Sequence, residues 1–431
     1  MKLEQLHQLF LESSGVSTDT RNIKQNALFF ALKGVNFNGN TFAHQALESG
    51  AKYVVIDEVV SPANERFILV DNVLETLQAL ANFHRKHLGL PIIALTGSNG
   101  KTTTKELIHA VLKPHFKTVA TVGNLNNHIG VPLTLLSMTV ATEIGIVEMG
   151  ANHAKEIAML CEIAQPNIGY ITNFGKAHLE GFGSEQGVVK AKSELYDYLK
   201  ANSGIIILNS DDPKQVAQVG AYDRIYTFSE ALETAVNVKL TATQPFLSLA
   251  LQNITINTNL VGNYNVYNCA AALAIGTHYK LTPLQLKEGI EAYVPANNRS
   301  QIIKQNTNEI LLDAYNANPS SMESALTFFE GVGKNATESK ELVAILGDMG
   351  ELGKYAENAH REVLELALEK GLNVITVGPL FHQATKNHPT EHSFMSTAEL
   401  KAHLKQSPLS GHHVLLKGSR SIALEEALGA L

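Results

Sequence analysis

The sequence predicts an α/β protein of three domains, and three observations carry that expectation. The chain has 431 residues, more than a single core of roughly 100–200 residues would organise. Short apolar runs of strand length alternate with segments of helical spacing, the pattern of parallel strands joined by helices. In the middle of the chain each apolar run stops at a polar residue: 144–147 at Glu148, 168–172 at Asn173, and 205–208 at Asn209-Ser210-Asp211-Asp212. Polar residues at the carboxyl ends of parallel strands are where chemistry collects in such sheets. The expected organisation is a small N-terminal α/β domain over 1–88, a central parallel-sheet domain over 89–297 and a C-terminal Rossmann-like domain over 298–431.

In the first domain, 27–32 and 53–56 read as strands. Residues 74–87 read as a helix with apolar positions at 74, 77, 80 and 81, and Gly89-Leu90-Pro91 ends it. In the central domain, 236–261 alternate apolar and polar residues with period two and predict a small antiparallel flap. In the last domain, strands are expected at 310–314, 342–346, 373–377 and 413–416, and helices at 320–331, 357–370, 397–405 and 421–429. Its glycines do not form G-x-G-x-x-G, which argues against a dinucleotide site.

Composition narrows the class. Hydrophobic residues make up 45% and charged residues 17%, as in a soluble globular protein. The net charge is −7 with both signs dispersed, and without a basic block no nucleic-acid partner is expected. Cys161 and Cys269 lie in apolar stretches without paired zinc spacing, so both are expected as buried free thiols. The opening Met-Lys-Leu-Glu-Gln has no signal-type apolar core, and no run of about 18 apolar residues occurs. A cytoplasmic protein with no membrane partner is the expectation.

The most informative stretch is Thr96-Gly97-Ser98-Asn99-Gly100-Lys101-Thr102-Thr103-Thr104-Lys105-Glu106. A buried strand at 91–95 precedes it, and Leu107, Ile108, Val111 and Leu112 follow at helical spacing. A glycine-bearing turn between strand and helix aims backbone N–H groups and the positive end of the helix dipole at one small space, which suits a phosphate. Lys101 adds a cation and Thr102 a hydroxyl able to ligate Mg²⁺. Leu95 stands where the usual G-x-x-x-x-G-K-[ST] loop has its first glycine, leaving the tighter Gly97-x-x-Gly100-Lys101-Thr102. The alternative is a plain turn with a surface lysine. The loop points to a nucleoside triphosphate and leaves the reaction open.

Further motifs follow in order. They are Gly123-Asn124-Leu125-Asn126-Asn127-His128-Ile129-Gly130, Glu148-Met149-Gly150-Ala151, Asn173-Phe174-Gly175-Lys176-Ala177-His178-Leu179-Glu180 and Ala191-Lys192-Ser193-Glu194. Then come Asp313-Ala314-Tyr315-Asn316-Ala317-Asn318-Pro319, Leu346-Gly347-Asp348-Met349 and Lys417-Gly418-Ser419-Arg420. Together these resemble the Mur ligases of peptidoglycan synthesis, over nearly the whole chain. The Asp-x-Tyr-Asn-Ala-Asn-Pro and Leu-Gly-Asp-Met segments favour the member acting last among the cytoplasmic enzymes. The resemblance implies ATP-dependent addition of D-alanyl-D-alanine to UDP-N-acetylmuramoyl-tripeptide through an acyl phosphate. A monomer is the expected state, though the sequence does not fix it.

The resemblance also implies roles. The loop Gly97, Ser98, Asn99, Gly100, Lys101, Thr102 and Thr103 would hold ATP, with Lys101 on the β/γ-phosphates and Thr102 on Mg²⁺. Glu148 and His178 match further Mg²⁺ ligands; a surface Glu at a strand end and a structural His are the plain alternatives. Lys192 matches a lysine that CO₂ carbamylates, with Lys190 as a rival and a solvent-facing helix lysine as the alternative. Asn265 and Asn268, ahead of an expected helix at 269–275, resemble adenine-side residues, or else cap that helix. Arg299, after Pro295-Ala296-Asn297-Asn298, resembles an arginine that reaches the phosphates across the domain boundary, and 294–300 would be the hinge. Asp313 resembles a ribose- or phosphate-side contact. A salt bridge and a helix cap are the alternatives for these two. Asn124, Asn127 and His128 resemble the loop lining the acceptor channel. Thr20, Arg21, Lys33 and Gly34 resemble the UDP pocket, though a turn and basic surface residues explain them equally. Asn316, Asn318, Asp348, Lys417 and Ser419 gather at strand ends where D-alanyl-D-alanine would sit.

Three other readings compete: a folylpolyglutamate synthetase-like ligase, a P-loop ATPase or kinase forming no amide, and a non-catalytic scaffold. The N-terminal 1–86 unit weighs against the first, the third domain against the second, and intact Lys101, Thr102, Glu148 and Lys192 against the last.

Overall fold

The structure, a computed structural model, describes residues 1–296, 298–335, 340–386, 388, 390 and 392–431. Asn297, the expected end of the central domain and part of the expected hinge, lies outside the described residues.

Three principal sheets form. The first orders Val16–Ser17, Leu28–Phe30, Tyr53–Ile56 and Phe67–Leu69, all parallel. A separate two-stranded hairpin pairs Lys33–Gly34 with Phe37–Asn38. The helix Val73–Leu88 leaves this domain with an Asn72 side-chain cap on Glu75 N–H and a left-handed Gly89 at its end, the arrangement that satisfies both helix termini. It buries Leu77, Leu80 and Ala81 completely. Its last turn reaches the central domain: Arg85 donates to the Ala164 and Gln165 carbonyls and to Asn167 Oδ1, each at 3.0 Å. One apolar cluster runs from Leu6, Leu28 and Val55 through Leu77 to Leu135 and Met138, so the N-terminal and central domains share a core.

The central sheet has nine strands. The phosphate-loop strand Ile92–Thr96 lies between Ile144–Glu148 and Ile168–Ile171. Thr118–Ala120 forms one edge beyond Ile144–Glu148. Beyond Ile168–Ile171 come Ile205–Asn209, Ile225–Ser229 and Val236–Ala242. Strand order therefore reverses at Ile92–Thr96, and a crevice opens at the carboxyl ends there. The register pairs Leu95 with Glu148 and Thr96 with Ile171, so the phosphate loop, Glu148 and Asn173 emerge side by side.

The expected flap is antiparallel over Val236–Ala242, Ser248–Leu251 and Ile254–Asn257. Its first strand also pairs in parallel with Ile225–Ser229, which makes it a continuation of the main sheet. The third sheet orders Gln301–Gln305, Asn308–Asp313, His413–Lys417, Leu342–Gly347, Asn373–Val377 and His392–Phe394. All its pairings are parallel except the opening hairpin. The helix expected at 421–429 is instead a 3₁₀ stretch, Leu424–Ala430, entered through a left-handed Ala423. Its buried Leu424 and Ala427 are three apart, the spacing a 3₁₀ turn stacks on one face. Cys161 and Cys269 are free and buried. Among the described residues no helix is long and apolar enough to cross a membrane.

Candidate active site

Between the central and C-terminal sheets lies a cavity of about 1120 Å³. The phosphate loop forms one wall. Gly97 sits at φ 142° and Gly100 at φ 78°, conformations that L side chains rarely adopt. A Cβ on Gly97 would lie 1.9 Å from Thr172 Oγ1, and one on Gly100 would lie 2.6 Å from Asn268 Oδ1. The neighbouring strand's exit holds the loop. Thr172 Oγ1 donates to the Asn99 carbonyl at 2.6 Å, and Asn173 both donates to that carbonyl and accepts from Asn99 N–H, each at 3.0 Å.

The helix Lys101–Leu112 starts at Gly100 and points its N-terminus into the cavity, with Thr102 and Thr103 on the lining. Lys101 Nζ donates to the carbonyls of Gly97 at 2.7 Å and Ser98 at 3.2 Å. Burial lowers the pKa of this ammonium, offset in part by Glu148. Asn265 and Asn268 lie inside the helix Asn265–His278, so neither is its N-cap, and the helix begins four residues earlier than expected. Asn268 Oδ1 accepts from Thr104 Oγ1 at 3.0 Å, and its Nδ2 donates to Asn265 Oδ1 at 2.7 Å. Asn268 thus braces the back of the phosphate loop while lining the cavity.

Glu148 is 1% exposed. Its Oε1 accepts from Asn126 Nδ2 at 2.8 Å, whereas Oε2 is buried without a partner among the described residues. An unpaired buried carboxylate oxygen is costly unless a cation meets it. His178, at φ 53°, places Nδ1 2.6 Å from Glu351 Oε2, and the imidazole holds the Glu351 carboxyl below the usual carboxylate range. Among the described residues no group of three or more His, Cys, Asp or Glu is arranged to hold a metal ion. One orphan carboxylate, a threonine hydroxyl and an imidazole do not cage an ion by themselves. They fit Mg²⁺ that takes its remaining ligands from phosphates and water.

Lys192 is fully buried and donates to the Ala151 carbonyl at 3.1 Å, with its ammonium 5.1 Å from the Phe182 ring centroid. Lys190 is exposed. Burial, and secondarily the charge of Lys101, lower the Lys192 pKa well below the ordinary lysine value. Lys192 sits one layer behind the lining, which Ala151 reaches.

The C-terminal domain supplies the opposite wall. The Arg299 guanidinium carbon lies 3.7 Å from the Tyr315 ring centroid, and its Nε is buried without a partner among the described residues. Asp313 Oδ1 accepts from Ser300 N–H at 3.1 Å and Oδ2 accepts from Lys417. Asn316 and Ser419 also line this wall. Asn318 touches the phosphate loop directly, its Nδ2 donating to Asn99 Oδ1 at 2.7 Å. Asn124, Asn127 and His128 line the mouth, and Asn127 Oδ1 caps the helix Gly130–Leu136 through Gly130 N–H at 2.9 Å.

Some expected site residues stand elsewhere. Asp348 does not line the cavity. Both its oxygens accept backbone N–H groups of Leu380 and Phe381, at 3.0 and 2.8 Å, at the start of the helix Pro379–Ala384. Thr20, Arg21, Lys33 and Gly34 lie apart from the cavity in the N-terminal domain. There Arg21 forks onto Asp19, and Lys33 lies 3.1 Å from both Asp57 and Glu58. Sequence reasoning passed over Asn126, Asn173, Tyr315 and Glu351. The first three sit within the motifs given above, but their partners come from distant segments: the strand end Glu148 for Asn126, the phosphate-loop Asn99 for Asn173 and Arg299 for Tyr315.

The chain matches three family profiles: "Mur ligase family, catalytic domain" over 12–85, "Mur ligase middle domain" over 95–276 and "Mur ligase, glutamate ligase domain" over 298–428. It is 36% identical to the UDP-N-acetylmuramoyl-tripeptide–D-alanyl-D-alanine ligase of Bacillus subtilis, covering 96% of this chain and 92% of that one. To the ligase of that name from Escherichia coli it is 35% identical, covering 96% and 93%. Its structure is similar to that of MurF from Acinetobacter baumannii, with a TM-score of 0.86 and 28% identity over 99% of this chain and 98% of the other. The fold is shared with the MurF ligase of Thermotoga maritima solved with ADP, at TM-score 0.84 and 24% identity over 100% and 98%. With three matched segments in order and relatives above 30% identity along almost its full length, this chain belongs to the Mur ligase family.

Proposed function

We propose that this chain is an ATP-dependent amide ligase that adds D-alanyl-D-alanine to UDP-N-acetylmuramoyl-tripeptide. The observation that carries the reading is the shared cavity, where the phosphate loop of one domain faces Asn316, Asn318, Lys417 and Ser419 of another. The relatives named above support the choice of substrates.

A carboxylate resists nucleophiles because attack would add charge to an anion. The tripeptide carboxylate oxygen bonds to the γ-phosphorus and ADP leaves. The amine of the dipeptide then bonds to the acyl carbon, phosphate leaves, and the amine loses a proton. Two anions meet in the first step, so catalysis is mainly charge stabilisation and positioning. Lys101 exchanges the Gly97 and Ser98 carbonyls for phosphate oxygens. N–H groups at the start of the helix Lys101–Leu112 receive the phosphates, and Arg299 of the far wall, whose buried Nε has no partner among the described residues, donates to them. Asn268 and Asp313 take the adenosine side. Asn124, Asn127 and His128 border the channel to the second substrate.

Thr102, Glu148 and His178 are the residues that would hold Mg²⁺, which neutralises charge on the phosphates when bound. Burial, and then the charge of Lys101, pull the Lys192 pKa well below the ordinary lysine value, which favours the neutral amine. Its amine adds to the carbon of CO₂ and loses a proton, becoming a carbamate anion that offsets the positive charge of Lys101 and the metal. Thr20, Arg21, Lys33 and Gly34 take the UDP moiety on the N-terminal domain, and 294–300 form the hinge on which the last domain closes. The enzyme acts as a cytoplasmic monomer on small molecules, without nucleic-acid or membrane partners.

The test is an omission assay with ATP, Mg²⁺, UDP-N-acetylmuramoyl-tripeptide and D-alanyl-D-alanine, measuring phosphate release and product mass. Phosphate release that continues without the dipeptide, with no amide product, would refute the reading. Turnover that needs folate and glutamate would favour the folate-type ligase.

A further inference from the structure

We propose that Glu351 is a positioning residue for His178, so that the C-terminal domain completes an edge of the central domain's metal site. The inference rests on the reading above, in which His178 offers a ring nitrogen to the divalent cation.

His178 belongs to the central domain and begins the short helix Leu179–Phe182. Glu351 follows the strand Leu342–Gly347 of the last domain. Both residues occupy left-handed backbone, at φ 53° and 60°, a conformation non-glycine residues keep only where the surroundings hold it. Three contacts do so. Glu180 N–H donates to the Glu351 carbonyl at 3.2 Å, Tyr355 Oη donates to the Gly183 carbonyl at 3.0 Å, and Leu179 is buried in one cluster with Met349 and Leu352. His178 Nδ1 is itself buried and lies 2.6 Å from Glu351 Oε2, an ion-pair distance whose angle falls outside hydrogen-bond geometry, and Nδ1 has no other partner among the described residues. Both side chains line the cavity.

A carboxylate can only accept, so the Nδ1 proton belongs on the side of Glu351. The lone pair is then left on Nε2, at the other edge of the ring. A carboxylate behind a ligating histidine fixes its tautomer and orientation and raises its basicity. Here the carboxylate comes from a different domain. Undocking the last domain would free the ring, so cation binding and domain docking would be coupled.

The experiment uses the full chain with ADP and Mn²⁺ as the probe, reading free Mn²⁺ by electron paramagnetic resonance and folding by thermal melting. Glu351→Ala should weaken Mn²⁺ binding about tenfold or more. Glu351→Gln, which retains an oxygen for Nδ1–H, should weaken it less. In a His178→Ala background, Glu351→Ala should have no further effect. An unchanged Mn²⁺ affinity in Glu351→Ala, while His178→Ala weakens it, would overturn the proposal and leave the assignment of His178 intact. Equal losses in both backgrounds would assign Glu351 a general charge effect and also overturn it. No loss in His178→Ala would remove the metal role of His178 and this proposal with it. The tautomer is read independently of any variant from ¹⁵N shifts of His178 in the unaltered protein: protonation at Nδ1 supports the proposal, and protonation at Nε2 overturns it.

Discussion

Asn318 Nδ2 donates to Asn99 Oδ1 at 2.7 Å, joining the Asp-x-Tyr-Asn-Ala-Asn-Pro segment of the last domain to the phosphate loop of the central one. The residue expected to meet the incoming dipeptide thus also steadies the loop expected to hold ATP. Asn318→Ala removes a bond whose net worth is about 1 kcal/mol. We expect kcat to fall about five- to tenfold with little change in melting temperature, measured by steady-state phosphate release and calorimetry. An unaltered kcat would show that the bond is incidental.

Asn126 Nδ2 donates to the Glu148 carboxylate, the hydrogen bond that orients its side chain among the described residues. Asn126→Ala leaves both oxygens of a buried carboxylate without a hydrogen-bond partner among the described residues, so the carboxylate loses its fixed orientation. The Mg²⁺ concentration for half-maximal activity should rise about tenfold. Titration of activity with Mg²⁺ at saturating ATP checks this.

Gly100→Ala places a methyl group 2.6 Å from Asn268 Oδ1 at a backbone φ of 78°. The left-handed conformation alone costs about 1–2 kcal/mol, and the clash dislodges the brace behind the loop. ADP affinity measured by isothermal calorimetry should fall more than about tenfold. A variant that binds ADP like the parent would show that the loop tolerates a side chain.

Lys192→Ala should abolish ligation, and millimolar formate or acetate should restore part of it by occupying the place of the carbamate. Mass spectrometry on protein trapped under ¹³C-labelled CO₂ should place the added carboxyl on Lys192. Full activity of the variant without added carboxylate would sink the assignment.

A pH effect is expected away from the active site. His7 Nε2 and His84 Nδ1 lie 3.0 Å apart, and His84 Nε2 lies 2.9 Å from the Met138 carbonyl. Burial, then the charges of His84 and His87, lower the His7 pKa to about 4. Below about pH 6.5 the unfolded chain binds a proton that the folded chain refuses, so stability is greatest above that pH and falls toward pH 4. Discounted for solvent screening, the loss is on the order of 2 kcal/mol. His7→Gln keeps a donor for His84 and does not titrate. Urea melts at pH 7 and pH 4.5 should therefore differ less for this variant than for the parent.

The interior of the fold was legible because buried parallel strands write themselves as apolar runs. Residues 144–147, 168–172 and 205–208 all became strands close to their expected bounds. Strands that sequence reasoning passed over are mostly edges: Val16–Ser17, Phe67–Leu69, Thr118–Ala120, Gln301–Gln305 and His392–Phe394. An edge strand buries less and carries a weaker pattern. Asp348 shows a different failure. It stands at a strand end like the acceptor-side residues, yet its oxygens serve backbone N–H groups of a helix start 32 and 33 residues along the chain.

Sequence by itself determined the phosphate loop, the polar strand ends and the family, because these depend on residue type and spacing within a few turns of chain. Only the tertiary structure decided which oxygen of Glu148 is left unpaired, that Lys192 is buried while Lys190 is exposed, and that Glu351 stands behind His178. Those facts depend on distances between segments far apart in sequence. They are set by sheet register and by the packing of one domain on another, which short-range patterns do not encode.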